Sequence, residues 1–335
     1  MSRRTTTSNE EFHKVLSSSK HIFVISGAGL SAGSGIPTYR GKGGLWKQND
    51  VMKLSTTAGW VDSPSRMWQF YESRRALALR AQPNEAHYAL ARFSIPKIRH
   101  EMAPESHFTL VTQNIDGLCQ RALQKVSNET DNIDAATSLP IEMHGSIFEV
   151  ACTNYSCKHR EWNDDSPICP ALAVDDGGVE DRAGDPVVAS RSRFEILREE
   201  LGRRLNATNN EEVNEQNAAV DERLATCEGS EHVVPTAELP KCTKCGSLVR
   251  PGVVWFGESP RHMDEIEKEV EKADICLVVG TSSTVHPAAG FVNTIRQRGG
   301  KVAVFNVEWT RDWTPDFLFL GPCKETLPAA LGTSK

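Results

Sequence analysis

Four runs of strand length stand out as apolar along the chain: HIFVIS from His21, HFTLVT from His107, ICLVVG from Ile275 and KVAVFN from Lys301. Longer stretches with helix-like spacing separate them. That alternation predicts an α/β fold, a parallel sheet covered by helices. Each run ends in small or polar residues: Gly27, Gln113-Asn114, Gly280-Thr281-Ser282 and Asn306. In open sheets of this type ligands gather at the carboxyl ends of the strands, so these four endings are expected around one site.

The stretch from about Val51 to His100 reads as mostly helical. Ser63-Pro64 marks a helix start, because proline in the first turn has no N–H to lose. The helix that follows is PSRMWQFYESRRALALR. From about residue 173 to 238 the composition shifts to Asp, Glu, Asn, Gly and Ala with few aromatics, the mark of a surface insertion with little core. Within it, RSRFEILREELGRRL places Phe194, Ile196, Leu197 and Leu201 near helical spacing. No internal repeat is present.

Composition narrows the class. A chain of 335 residues suits one large or two smaller domains. Its net charge of -6 offers no global positive field for nucleic acid or anionic membrane. No apolar run approaches the roughly 20 residues needed to span a bilayer. MSRRTTTSNEEF lacks the apolar core of a secretory signal. Its Arg3, Arg4 and hydroxyl residues suit a mitochondrial transit segment only weakly, since Glu10, Glu11 and the first strand follow at once. Cytoplasm or nucleus is therefore the expected compartment, with the mitochondrial matrix as the alternative, and a monomer is the expected state. Nine cysteines without a signal peptide point to reduced thiols and metal rather than disulfides.

After the first strand, Gly27-Ala28-Gly29-Leu30-Ser31-Ala32 fits G-x-G-x-x-A, either a dinucleotide loop or a plain glycine-rich turn. An ordinary dehydrogenase would add a second strand ending in an acidic residue about 20 positions on. Here a polar loop, SGIPTYRGKGGLW, takes its place. Such a loop suits cleaving NAD better than borrowing its hydride, and Asn306-Val307-Glu308 becomes the candidate ribose contact.

Two close pairs, Cys152-x4-Cys157 and Cys242-x2-Cys245, can supply four thiolates to a tetrahedral structural zinc. The alternative is buried free thiols. Cys169 reads as a core cysteine, and Cys227 lies in the insertion. His144, in Glu142-Met143-His144-Gly145-Ser146, starts as a structural histidine. With Gln113-Asn114-Ile115-Asp116 and Gly280-Thr281-Ser282-Ser283 nearby, it becomes a natural general base facing a ribose.

GAGLSAGSGIPTYRG, QNID, HG, the two Cys pairs, GTSS, FNVE and GPC occur in an order that resembles the sirtuins, the NAD-dependent protein deacylases. The resemblance runs from about residue 20 to 331. It implies a Rossmann-like domain from 1–50, 101–148 and 252–335, a helical module at 51–100, and a zinc ribbon at 149–251 carrying the insertion. It also implies that Gly27, Ala28, Gly29, Ser31, Tyr39, Arg40, Gln113, Asn114, Ile115, Asp116, Gly280, Thr281, Ser282, Asn306, Glu308 and Cys323 surround NAD, consumed as a co-substrate. The acyl oxygen of a modified lysine would attack the anomeric carbon as nicotinamide leaves. His144 would act as base on a ribose hydroxyl, with Asn114 orienting ribose and water, giving free lysine and an acyl-ADP-ribose.

Tyr71 and Arg74 are three apart and share a helix face. A guanidinium beside a phenol suits a small carboxylate, and the pair resembles the Y-x-x-R of the class III sirtuins, which remove succinyl, malonyl and glutaryl groups. Val253, Val254, Trp255 and Phe256 would line the peptide and acyl channel. The bland reading is a solvated arginine cluster with Arg66, Arg75 and Arg80. Competing functions are a conventional deacetylase, an ADP-ribosyltransferase and a non-catalytic NAD-sensing module. The cysteine pairs are spaced differently from the commonest sirtuin pattern, and the acidic insertion has no counterpart in compact members.

Overall fold

The computed structural model describes residues 5–38, 53–130, 137–173, 233–282, 286–309 and 313–333. Helix α1 (Asn9–Ser18), capped by the Ser8 hydroxyl, precedes β1 (His21–Ser26). A short α2 (Ala28–Ala32) leaves β1, and four further helices follow: α3 (Thr57–Asp62), α4 (Pro64–Arg80), α5 (Glu85–Ser94) and α6 (Pro96–Arg99). The Ser63 hydroxyl accepts the Arg66 N–H at 3.3 Å at the start of α4, the cap that Ser63-Pro64 predicts. Then come β2 (His107–Thr112), α7 (Leu118–Thr130), β3 (Ile141–Glu142), β4 (Gly145–Cys152), β5 (Arg160–Trp162) and β6 (Val249–Val253). The chain ends with α8 (Met263–Lys272), β7 (Ile275–Val279), α9 (Ala288–Gln297), β8 (Lys301–Asn306), β9 (Phe317–Leu320) and α10 (Cys323–Ala330). Among the described residues, no helix is long and apolar enough to cross a membrane.

Six strands form one sheet in the order β3-β2-β1-β7-β8-β9, with every pairing parallel. The chain winds outward from β1 in one direction, returns to the other side of β1 at β7, and winds outward again. The switch point therefore lies between β1 and β7, where a doubly wound sheet opens its ligand crevice. Alternate residues of β1 feed two cores. Ile22 and Val24 face Phe12, Leu16 and Phe305, while Phe23 and Ile25 face Ile266, Val292 and Ile295.

A second, antiparallel sheet has the order β5-β4-β6. Strand β4 begins beside His144 and ends at Cys152, so one strand joins the histidine to the first cysteine pair. Helix α4 covers this sheet, packing Met67 and Tyr71 against Ile147, Phe148, Val253 and Trp255. Its Trp68 enters the neighbouring core, and the indole donates to the Val249 carbonyl at 2.9 Å. Helix α5 instead packs Ala86, Ala89, Leu90 and Phe93 on the parallel sheet. Helix α4 therefore packs on the small sheet and α5 on the parallel one.

Arg75 is fully buried, so the picture of a solvated arginine cluster fails for it. Its guanidinium donates to the carbonyls of Ile147 (2.8 Å), Asn163 (2.9 Å) and Asp165 (2.7 Å) and pairs with Glu72 at 3.4 Å. Glu72 in turn accepts from Ser166 Oγ at 2.8 Å and the Ile168 N–H at 3.2 Å. This buried pair bolts α4 to the cysteine-bearing sheet, and losing either partner would strand a charge.

The two halves of the large sheet meet with no room for a side chain. Gly280 has φ +59°, and a Cβ there would lie 2.2 Å from the Leu30 nitrogen. Gly280→Ala is expected to cost about 3 kcal/mol or more in denaturant unfolding. Gly290→Ala, inside α9 with nothing within 4 Å of its Cβ, should be neutral or stabilising by up to about 1 kcal/mol. Equal losses at both positions would refute the packing account.

Candidate active site

Backbone hydrogen bonds gather the strand endings into one rim. The Gly27 N–H donates to Val279 O at 3.0 Å, the Gly29 N–H to Gly280 O at 2.8 Å, and the Gly280 N–H to Phe305 O at 2.9 Å. The Gln113 N–H donates to Ser26 O at 2.9 Å, and its side-chain amide to Thr281 Oγ1 at 3.2 Å. Asn306 reaches Thr281 O at 3.4 Å, and Cys323 Sγ lies 3.4 Å from Phe305 O. Residues expected around NAD from five separate segments, Gly27 through Ser31, Gln113 through Asp116, Gly280 through Ser282, Asn306 and Cys323, therefore share the carboxyl edge of one sheet. Glu308 is exposed two residues beyond β8. Tyr39 and Arg40 lie outside the described residues, as does Ser283.

Beneath this rim lies a buried polar chain. The Asn84 N–H donates to His87 Nδ1 at 3.2 Å, which places the imidazole proton on Nε2. Nε2 then faces Ser31 Oγ at 3.3 Å as donor, and the Ser31 hydroxyl donates to Asp116 Oδ2 at 2.7 Å. Burial, helped by the charge of Arg121, holds the His87 pKa at about 3, so the ring is neutral. Burial also raises the Asp116 carboxyl, against the Leu118 N–H and the Ser31 hydroxyl. The Asn114 amide donates to Gly27 O at 3.1 Å and Ser31 Oγ at 3.0 Å, which turns its own oxygen away from both. His87 and Asn84 escape sequence reading. Nothing local in the sequence ties residue 87 to Ser31.

His144 closes the crevice from β4. Its Nδ1 lies 3.0 Å from Gln113 O, and because a carbonyl only accepts, the proton sits on Nδ1 and Nε2 carries the lone pair. Burial lowers the His144 pKa, opposed by that carbonyl. Two residues upstream, burial pushes the Glu142 carboxyl up to about 7. The charges of Asp116 and Glu149 add to that shift, and a Gln120 hydrogen bond and Arg261 oppose it.

Strand β6 continues into the other expected site residues. The Val254 N–H donates to His144 O at 2.8 Å, and the Phe256 N–H to Ser55 O at 2.9 Å. Val253 is buried, Val254 half-buried and Phe256 exposed. Trp255 is only 2% exposed, packed with Met67, Tyr71, Ile147 and Phe148. Its Nε1 donates to Tyr71 Oη at 3.0 Å. Arg74 is half-buried one turn further along α4, its guanidinium 5.3 Å from the centre of the Phe70 ring.

At the far end of β4, the sulfurs of Cys152, Cys157, Cys242 and Cys245 all lie within 4.8 Å of one another. The Cys152–Cys245 and Cys157–Cys242 separations are 3.5 and 3.9 Å. A tetrahedron of Zn–S bonds near 2.3 Å requires sulfurs about 3.8 Å apart, so the four fit zinc. Turns with positive φ at Lys158 and Gly246 bring each pair together. Cys169 stays outside the cluster, its thiol 3.4 Å from Glu238 O.

A switch-point rim with a histidine facing it, joined by one strand to a zinc ribbon, defines an enzyme built on a dinucleotide-binding sheet. Comparison of the whole chain supplies the family. Residues 27–169 and 206–287 match the Sir2 family model, and the chain belongs to that family. It is 36% identical to an NAD-dependent protein deacylase sirtuin-5, mitochondrial, of Canis lupus familiaris, over 98% of this chain and 86% of the relative. It is also 36% identical to an NAD-dependent protein deacylase of Daphnia pulex, over 96% and 95%. Among solved structures, a Sir2 homolog–NAD complex superposes with a TM-score of 0.65 at 27% identity, covering 98% of this chain and 95% of that one.

The depressed His144 pKa sets a pH expectation. With neutral His144 as the expected base, kcat/KM should hold as pH falls through 6.5 and drop only below it. Glu142→Gln separates the second titration near 7 from this limb. An acidic limb above 6.5 that survives Glu142→Gln would contradict the assignment.

Proposed function

We propose that this chain is an NAD-dependent protein-lysine deacylase that prefers acidic acyl groups, succinyl, malonyl or glutaryl, and yields nicotinamide and O-acyl-ADP-ribose. The preference is read from Tyr71 and Arg74, three residues apart on one face of α4, and supported by the Trp255 indole and Val254, which tie Tyr71 to the His144 backbone.

The rim fits NAD. The glycine backbones at 27, 29 and 280 stand where any Cβ would collide, and hydroxyl and amide groups of Thr281, Gln113, Asn114 and Asn306 converge beside them. Bound NAD supplies an electrophilic anomeric carbon with nicotinamide as leaving group. His144 Nε2, its lone pair exposed by the Gln113 bond, accepts the proton of a ribose hydroxyl. The Asn114 amide, held by Gly27 and Ser31, orients the ribose and the attacking water, a positioning role. The four cysteines hold zinc as a structural clamp on β4 and take no part in the chemistry.

Arg74 meets the acyl carboxylate, with the Tyr71 hydroxyl adding a bond. A guanidinium drawn into an acyl pocket is costly without a counter-charge, which disfavours plain acetyl. The mitochondrial designation of the sirtuin-5 relatives favours the matrix over the cytoplasm or nucleus expected from the N-terminus. The 36%-identical relatives named NAD-dependent protein deacylases support acylated protein lysines as partners.

The test is NAD-dependent turnover of matched succinyl- and acetyl-lysine peptides. Arg74→Met should lower succinyl kcat/KM roughly 10- to 100-fold, the worth of a charged hydrogen bond, and leave acetyl unchanged or faster. Faster acetyl turnover in the native enzyme, untouched by Arg74→Met, would make it a deacetylase.

A further inference from the structure

The indole of Trp255 is nearly inaccessible, yet its single polar atom is directed at Tyr71, 3.0 Å away. An indole N–H can only donate, so Tyr71 Oη is the acceptor in this bond. The phenolic proton is thereby turned away from Trp255, so the bond that Tyr71 donates goes to an acceptor other than the indole. A carboxylate is an acceptor at every oxygen, whereas an acetyl methyl is none.

The indole is itself immobilised from several sides. The Arg250 guanidinium lies over the ring, 3.3 Å from its centre, and pairs with Glu258 at 2.6 and 2.9 Å. Glu258 also accepts the Trp255 N–H backbone bond at 2.8 Å. Trp60 packs against the indole with ring centres 5.7 Å apart. On either side in the chain, Val254 is bonded to His144 and Phe256 to Ser55. One tripeptide therefore fixes the histidine loop, the phenol and the start of the helical stretch in a common frame.

We propose that Trp255 is a specificity-positioning residue: its indole N–H orients the Tyr71 hydroxyl to donate to the carboxylate of an acidic acyl group. The proposal rests on the acidic-acyl reading of Tyr71 and Arg74 and deepens it. It gives Trp255 a role through Tyr71 rather than through contact with the acyl chain. A tryptophan that merely fills the core would, when altered, weaken turnover of every substrate alike.

The experiment compares kcat and KM for succinyl- and acetyl-lysine peptides in the native enzyme, Trp255→Phe, Tyr71→Phe, the double variant and Arg74→Met. Where Trp255→Phe does not fold, benzothienylalanine at residue 255 keeps the indole shape and removes only the N–H. The expected result is a 3- to 10-fold rise in succinyl KM, on the order of one neutral hydrogen bond. The succinyl-to-acetyl ratio of kcat/KM should fall by a similar factor, and the double variant should be no worse than Tyr71→Phe alone. If the succinyl-to-acetyl ratio is unchanged at residue 255 but falls in Tyr71→Phe and Arg74→Met, the role given to Trp255 is overturned and the acidic-acyl reading stands. If none of the variants moves the ratio, the underlying reading fails as well.

Discussion

The close approach of Gly29 to Gly280 is the constraint from which the rest of the site follows. A Cβ on Gly29 would lie 2.8 Å from the Gly280 Cα, so the loops after β1 and β7 meet backbone to backbone. That contact closes the switch point of the sheet and aligns the endings of β1, β7 and β8 through successive N–H···O bonds. With the rim fixed, Ser31 is placed where it can meet Asp116, Asn114 and His87 together. The glycines of a dinucleotide loop thus serve the fold before they serve a ligand.

A second constraint carries order outward from the rim. His144 is held through its ring by Gln113 and through its carbonyl by Val254. From there β4 runs to the zinc cysteines, and β6 returns beside it, pairing Cys152 with Val249 and Gly145 with Val253. The buried Glu72–Arg75 pair and the Trp68 indole lock α4 onto this sheet. The ribbon therefore holds α4 against the strand that starts beside His144, although its four cysteines lie at the other end of β4.

What the sequence revealed, and what it hid, follows from the range of each interaction. The four apolar runs became β1, β2, β7 and β8 with their boundaries nearly as read, because strands buried in a parallel sheet carry their signal locally. The start of α4 was legible for the same reason, through Ser63-Pro64. The cysteine pairs were legible as pairs, and their union depended on folding across the insertion. Strand β3 has two residues and β9 four, too short for any period to show. The pairing of β4 with β6 joins residues about a hundred positions apart. His87 and Arg75 looked like ordinary helix residues, since their partners come from other segments. Trp255 was legible by type and place, but not by the direction its side chain takes.

The central claim is that NAD cleavage is coupled to transfer of an acidic acyl group from lysine to ADP-ribose. Mass analysis of one reaction, NAD with a succinyl-lysine peptide, tests it most directly. The account predicts nicotinamide, O-succinyl-ADP-ribose and free-lysine peptide in equal amounts. A peptide that gains ADP-ribose, or NAD cleaved while the peptide keeps its succinyl group, would contradict it.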